Sequence, residues 1–550
     1  AISYDVEKAH ICTEGIEPYV WPVSRSELVD LRDKMLDATR KLILENLQPG
    51  TSTAWDALHI TYNEILREIL VLLRSKLSYE RVAESHSMDV SAADFKYFEA
   101  FRKQDSVVPT ALARLTYASQ GLQPTAKYLR PLRQVKFLFD QSGFRRQSLK
   151  NIPRGDIVTF STSVFMQRHA GHVQASGHRI SLCSLWEWYD FPSFEIPRFD
   201  PQSAPMNAAE KMFLDVICAT IRGAGYDLSR DIEKAIEYFV KTINFYAYYL
   251  SNHLLASERR SLLPAHLWFG STNNLYQRTL RAMVQKVGGR TYAHDHGQGM
   301  TMAHNAGNYG TIFDFCDEFF VYSSFLAQQA MAFQEKNGIL PLSKTPLKFT
   351  GVDNCLILPM DIAAYRQKPI QMPPRTSQRK RMMFLSPVFK GEQFAGLNAL
   401  PADVTFADFQ IRLLCHMRDL GFDVFLKEHP ESRIRIPDQT LAALKIEKVS
   451  GFVEDGPPNI DLVFFDFLSS PLKTLIMTDI PLMYFDFGLG YMAPEVAGMF
   501  EKRIEVVKGR YSPENRSEID WDKLPAAIQA ATSKRQDKGL LQKGFGCLAA

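Results

Sequence analysis

The sequence is short of net charge, of cysteine pairs and of long apolar runs, and each shortage removes a class of function. Its 64 Lys and Arg against 61 Asp and Glu leave a formal charge of +3 over 550 residues. That is too little to imply a nucleic-acid footprint, so no nucleic-acid partner is expected. Seven cysteines (Cys12, Cys183, Cys218, Cys316, Cys355, Cys415 and Cys547) are scattered without CxxC or metal-finger spacing. Their odd number argues against a full disulfide framework and for a reducing, cytoplasmic compartment. No stretch approaches the ~20 apolar residues that cross a bilayer, and the first residues, AISYDVEKAH, lack the basic start and apolar run of a signal peptide. Any membrane association is therefore expected to be peripheral, at the inner face.

What is present is an ordinary globular composition, 46% hydrophobic and 23% charged, too apolar for wholesale disorder. A chain of this length outgrows a single core, so two or three domains are expected.

From Ser24 to about Leu77 apolar residues recur at helical spacing (Leu28, Leu31, Met35, Leu42, then Ile60, Ile65, Ile69, Leu72), with a break at Pro49-Gly50. Residues 1–150 read as a mostly helical region whose basic stretch (Arg130, Arg133, Lys136, Arg145, Arg146, Lys150) reads as a solvated helix face, with an acidic-ligand surface as the alternative. From Asp156 the pattern changes to β-branched runs alternating with helical segments: strands at Asp156–Ser161 and Arg179–Leu185, helix from Ala208 to about Ala256, then strands near Ala265, Arg290 and Asp317. That order implies parallel pairing with right-handed crossovers over residues 151–360. The Pro-rich, basic stretch 361–381 reads as a linker. A second set follows over 382–550, with strands at Met382–Leu385, Val424–Lys427, Leu462–Phe465 and Pro481–Phe485. The expected fold is α/β, with two Rossmann-like domains facing across a cleft (GT-B) and an extra helical N-terminal region. Ligands in such sheets sit outside the carboxyl ends of the strands.

Three motifs fall at such ends. His294-Asp295-His296-Gly297 closes a strand on glycines. A histidine there can act as a general base near neutral pH or merely cap backbone. A zinc site from His294, His296 and His304 fits on ligand type alone. Lys427-Glu428-His429-Pro430 follows the second strand of the later set and can offer donors to a phosphate, or can be a simple turn. Asp466-Phe467-Leu468-Ser469-Ser470-Pro471 leads from a buried-type strand into a helix. Its serines can bind an anion at the helix start or serve as an N-cap.

In their order along the chain, HG, then HP, then SS, the motifs resemble those of bacterial cell-surface GT-B transferases that use cytidine nucleotides. These include sialyl- and Kdo-transferases and the CDP-glycerol glycerophosphotransferases. The likeness runs from about Gly270 to Gly490 and includes Thr478-Asp-Ile-Pro-Leu-Met-Tyr-Phe-Asp-Phe after the serine motif. The resemblance implies that His429, Ser469 and Ser470 hold the donor phosphate, with Lys427, Pro430 and Ser386 on the same side. It implies His296 as the base, with Asp295 as the alternative. A CMP-linked or CDP-linked donor is implied, together with a carbohydrate, lipid-linked glycan or glycoprotein acceptor. No metal and no cofactor are expected, because cationic and dipolar donors can take the phosphate charge. One departure stands out: the acidic triplet of the sialyltransferase pattern has its only counterpart, Glu454-Asp455-Gly456, in the second half. Transfer of a CDP-linked polyol phosphate, a sugar-nucleotide epimerase and a non-catalytic nucleotide-sugar-binding protein are the alternative readings.

Overall fold

The structure, a computed structural model, describes the chain outside segments 48–52, 86–89, 92–96, 112–144, 161–163, 190–196, 271–273, 296–302, 305–311, 337–341, 343–346, 354–369, 390–400, 454–457, 547–550 and a few short positions between them. Residues 361–369 of the expected linker and the acidic triplet thus lie outside the described residues, whereas 370–380 are described without helix or strand and Arg381 already begins a strand.

The protein is α/β, built on two parallel sheets. The first contains β1 (Arg145–Arg146), β2 (Ile157–Thr159), β3 (Ile180–Leu182), β4 (His266–Phe269), β5 (Arg290–His294), β6 (Glu318–Val321) and β7 (Lys348–Gly351), in the order β7-β6-β5-β4-β2-β3-β1. Its short edge strand β1 starts just ahead of the boundary expected at 150. The second contains β8 (Arg381–Leu385), β9 (Asp423–Lys427), β10 (Glu447–Lys448), β11 (Leu462–Phe465), β12 (Leu482–Asp486) and β13 (Glu505–Lys508), in the order β10-β9-β8-β11-β12-β13. Counted from β8, that is the 3-2-1-4-5-6 order of a Rossmann sheet, with its reversal between β8 and β11.

Period-two alternation explains why these segments are strands between two layers. Met382 and Phe384 of β8 enter the core shared with helix Asp403–Asp419, whereas Met383 and Leu385 enter the core on the other face. The helices begin where the chain supplies their caps. Ser24 and Glu27 open helix Arg25–Asn46, Asn207 and Glu210 open helix Ala208–Gly223, and Asn274 and Gln277 open helix Leu275–Lys286, each as a reciprocal capping box.

The N-terminal helices Arg25–Asn46 and Thr53–Ser85 pack with Ala208–Gly223 and Arg230–Leu255 around a core of their own. A buried triad ties this bundle to the first sheet: Arg40 Nη1 and Tyr62 Oη both donate to Asp314 Oδ2 at 2.6 Å. The chain ahead of the bundle lies on the second sheet's side instead. Ile16 donates its N–H to Asp408 Oδ1 at 2.9 Å, and Asn515 Nδ2 donates to the Trp21 carbonyl at 2.7 Å. Gly15 makes this docking possible, because it has φ +102° and a Cβ there would stand 2.3 Å from Asp408 Oδ1.

Candidate functional site

Strand register assembles the second half's candidates. Leu385 pairs with Lys427 on one side and with Phe465 on the other. The residues that leave β8, β9 and β11 therefore emerge side by side at the carboxyl edge, on both sides of the reversal point. Strands stand about 4.8 Å apart, so the loops that leave β9 and β11 start roughly 10 Å from one another, on either side of the loop that leaves β8. The Ser386 N–H donates to the Lys427 carbonyl at 3.0 Å and extends the ladder by one bond.

Their side chains differ in what they face. Lys427 is half-buried, and its Nζ donates to the Glu428 carbonyl at 2.7 Å. His429 is half-buried and Pro430 exposed, and the His429 carbonyl accepts from Ser432 N–H at 3.0 Å, which closes the turn. Ser386 is buried, and its hydroxyl donates to Gln410 Oε1 at 3.0 Å. Gln410 Nε2 in turn donates to Asp466 Oδ2 at 3.2 Å. Ser386 is thus the outer end of a polar chain through the sheet's edge.

Ser469 and Ser470 are half-buried at the start of helix Pro471–Ile476. Ser470 occupies the N-cap position with Pro471 at N1, yet its backbone is already helical (φ −55°, ψ −35°) and its side chain makes no capping bond. A capping serine has an extended backbone and a hydroxyl turned onto the N–H two or three residues on, as at Ser24. The structural use expected for this serine is therefore not the one observed.

In the first half, Asp295 follows β5 and continues the sheet, its N–H donating to the Phe320 carbonyl at 3.0 Å, and its side chain is fully buried. His296 lies outside the described residues. His294 is fully buried: its Nε2 lies 3.0 Å from His169 Nδ1, and its ring packs against Trp268 and Phe320 at 4.7 and 4.8 Å. Burial pushes the His169 imidazole down to about 4 and the His294 imidazole well below its ordinary value, so both are neutral at pH 7. His294 is accordingly a core residue of the aromatic layer. Among the described residues no group of three His, Cys, Asp or Glu could hold a metal ion. No described helix is long and apolar enough to cross a membrane.

The two halves meet beside the serine motif. Lys473 Nζ donates to Tyr322 Oη at 2.6 Å, Ala303–His304 pairs antiparallel with Tyr491–Met492, and Phe545 packs on Tyr322 at 5.8 Å. Sequence reasoning assigned no role to Tyr322, Lys473, Asp466 or Gln410. For Asp466 a signal was present, a charge directly after the apolar run Leu462–Phe465, but no local pattern marks Gln410 or Tyr322. No family model matches the chain, and no curated protein matches it significantly.

Proposed function

We propose that the protein is a glycosyltransferase of GT-B arrangement that moves a nonulosonate-type or Kdo-type sugar from a CMP-linked donor to a carbohydrate hydroxyl. The observation that carries this reading is the pair Ser469 and Ser470. They follow β11 at the carboxyl edge of a Rossmann-ordered sheet, one strand away from the β9 end that bears Lys427 and His429, and Ser470 does not cap its helix. Two hydroxyls at the start of a helix, on the same sheet edge as a cation and an imidazole, are suited to an anion. Phosphate charge rises as the sugar–phosphate bond breaks, so fixed donors there lower the barrier most.

In this mechanism the acceptor hydroxyl attacks the anomeric carbon of the donor sugar. The new C–O bond forms as the bond to the CMP phosphate breaks, and CMP leaves with the electron pair. His296 takes the acceptor proton, with Asp295 as the other candidate. Ser469, Ser470, His429 and Lys427 hold the departing phosphate. Ser386 positions the edge through Gln410. The buried contacts around Tyr322 and Lys473 support a shared cleft between the halves.

Incubation with labelled CMP-linked and CDP-linked donors and a mixed glycan acceptor tests the proposal. Release of CMP with a product heavier by one sugar is expected. A product heavier by a polyol phosphate assigns the CDP-polyol reaction instead, and binding without release assigns a non-catalytic role.

A further inference from the structure

Helix Arg230–Leu255 is long enough to serve two cores. Ala247, Leu250 and Leu254 in its second half pack in the first sheet's core, whereas Ile232, Ile236, Phe239 and Ile243 in its first half pack in the N-terminal bundle. Lys234, Glu237, Tyr238 and Lys241 recur along that first half at spacings of three and four, which puts them on one side of the helix. They form one wall of a cavity of about 460 Å³, bounded by Ser106, Val108 and Pro109 on one turn and by Pro201 and Gln202 on another. Each turn is tied by a side chain of its own. Ser106 Oγ accepts from the Val108 N–H at 3.4 Å, and Asp200 Oδ1 accepts from the Gln202 N–H at 3.0 Å. None of these residues belongs to the three strand-end motifs.

Lys241 is the residue that the fold alone does not explain. Lysines are almost never buried unless their charge is met, yet the Lys241 side chain is 6% exposed. Its one hydrogen-bond partner among the described residues is Glu237 Oε1, at 3.3 Å. An ammonium carries three N–H donors, so two are left for whatever enters the cavity. Lys234, one turn earlier in the lining and exposed, gives two cations against the single carboxylate of Glu237. Asp200, next to the lining, is exposed and already takes the Gln202 N–H. We propose that this cavity binds a small hydroxylated anion, a sugar phosphate or a sugar acid, with its acid group between Lys241 and Lys234. Phosphate and carboxylate share the chemistry that matters here, a compact anion that accepts ammonium N–H bonds. The hydroxyls meet Glu237, Gln202 and Ser106, and the carbon frame lies against Val108, Pro109 and the Tyr238 ring. The volume is that of a small-molecule site and exceeds what a bare inorganic ion fills, while Glu237 disfavours a polyanion. The site is separate from the serines, so it stands or falls apart from the nucleotide reading.

The test is calorimetry of glucose 6-phosphate, glucuronate, glucose and CMP against the full chain and its Lys241→Met and Lys234→Gln variants. Wild type is expected to bind at least one of the two acids and not glucose, and the acid bound more tightly assigns phosphate or carboxylate. That acid is expected to bind Lys241→Met about tenfold or more weaker, because a charged, buried donor is lost. Lys234→Gln is expected to weaken it roughly two- to fivefold, as for an exposed charge. CMP affinity should be the same in all three proteins. Lys234 is exposed, so its variant keeps the fold and decides the matter even if Lys241→Met fails to fold. A wild-type protein that binds neither acid, or binds glucose as well as the acids, overturns the site. Equal acid affinity in wild type and a folded variant overturns it too, and so does a CMP affinity that falls together with that of the acid.

Discussion

Lys473 Nζ donates to Tyr322 Oη at 2.6 Å and lies 5.0 Å from the centre of its ring, so the helix that follows the two serines is fastened to the carboxyl end of the first sheet. Tyr322 is fully buried and comes directly after β6. Ser323 Oγ also donates to the Lys543 carbonyl, which brings the C-terminal segment to the same point.

Removing this fastening has a measurable cost. Tyr322→Phe keeps the ring and loses the hydroxyl, leaving Lys473 without that acceptor. A loss of about 1–2 kcal/mol is expected from the urea midpoint at unchanged slope. Lys473→Met, which removes the cation and keeps the hydroxyl, should lose less, because no charge then loses an acceptor.

The serines should matter for binding and not for stability. Since Ser470 does not cap helix Pro471–Ile476, replacing Ser469 and Ser470 by Ala should change stability by under about 0.5 kcal/mol, below the ~1 kcal/mol of a lost cap. CMP affinity should fall roughly tenfold or more. Calorimetry and chemical denaturation of the same variant separate the two effects, and a destabilised variant with normal affinity would return the serines to a structural role.

Asp466 predicts a slope of stability with pH. Burial raises its carboxyl to about 7, from an ordinary value near 4, against the weaker opposing bond from Gln410. Between those values the folded state holds a proton that the unfolded state has lost, so this group's contribution is fully present below pH 4 and declines until about pH 7. The neighbouring groups that share its field are Arg25, Tyr484, Tyr511 and Asp486. Asp466→Asn should remove the decline, read as a flatter difference in urea midpoint between pH 5 and pH 8.

The His169–His294 pair predicts the opposite slope. Both imidazoles are depressed by burial, His169 to about 4, so between pH 6.5 and 4 the unfolded chain takes up protons that the folded one refuses. Their contribution is complete above pH 6.5 and is lost as pH falls through that window. His169→Gln should lessen the acid sensitivity of the melting temperature; an unchanged acid limb would place the sensitivity elsewhere.

Much of this fold was legible because its strands are short apolar runs with polar ends. Leu462–Phe465 and Arg381–Leu385 announce themselves, and the residues leaving them were correctly placed at strand ends. Edge strands were not legible: Arg145–Arg146 hides in a basic stretch and Lys348–Gly351 has one buried side chain. Nor was the docking of Ile16 on Asp408, which joins positions 392 residues apart and leaves no local trace. The histidines show the same limit at the site. His294 and His296 look alike in sequence, but the structure gives His294 to the core because Trp268, Phe320 and His169 surround it. Asp466 was visible only as a charge after a strand, since its altered acidity comes from burial.

The most direct test of the central claim is release of CMP from a CMP-linked nonulosonate or Kdo donor by wild type, His296→Ala and Asp295→Ala, each with a binding isotherm for CMP. A general base contributes about a hundred- to ten-thousandfold, so His296→Ala is expected to release CMP slower by that factor while binding CMP as wild type does. Absence of CMP release by wild type, or near-normal release by both variants, would contradict the account.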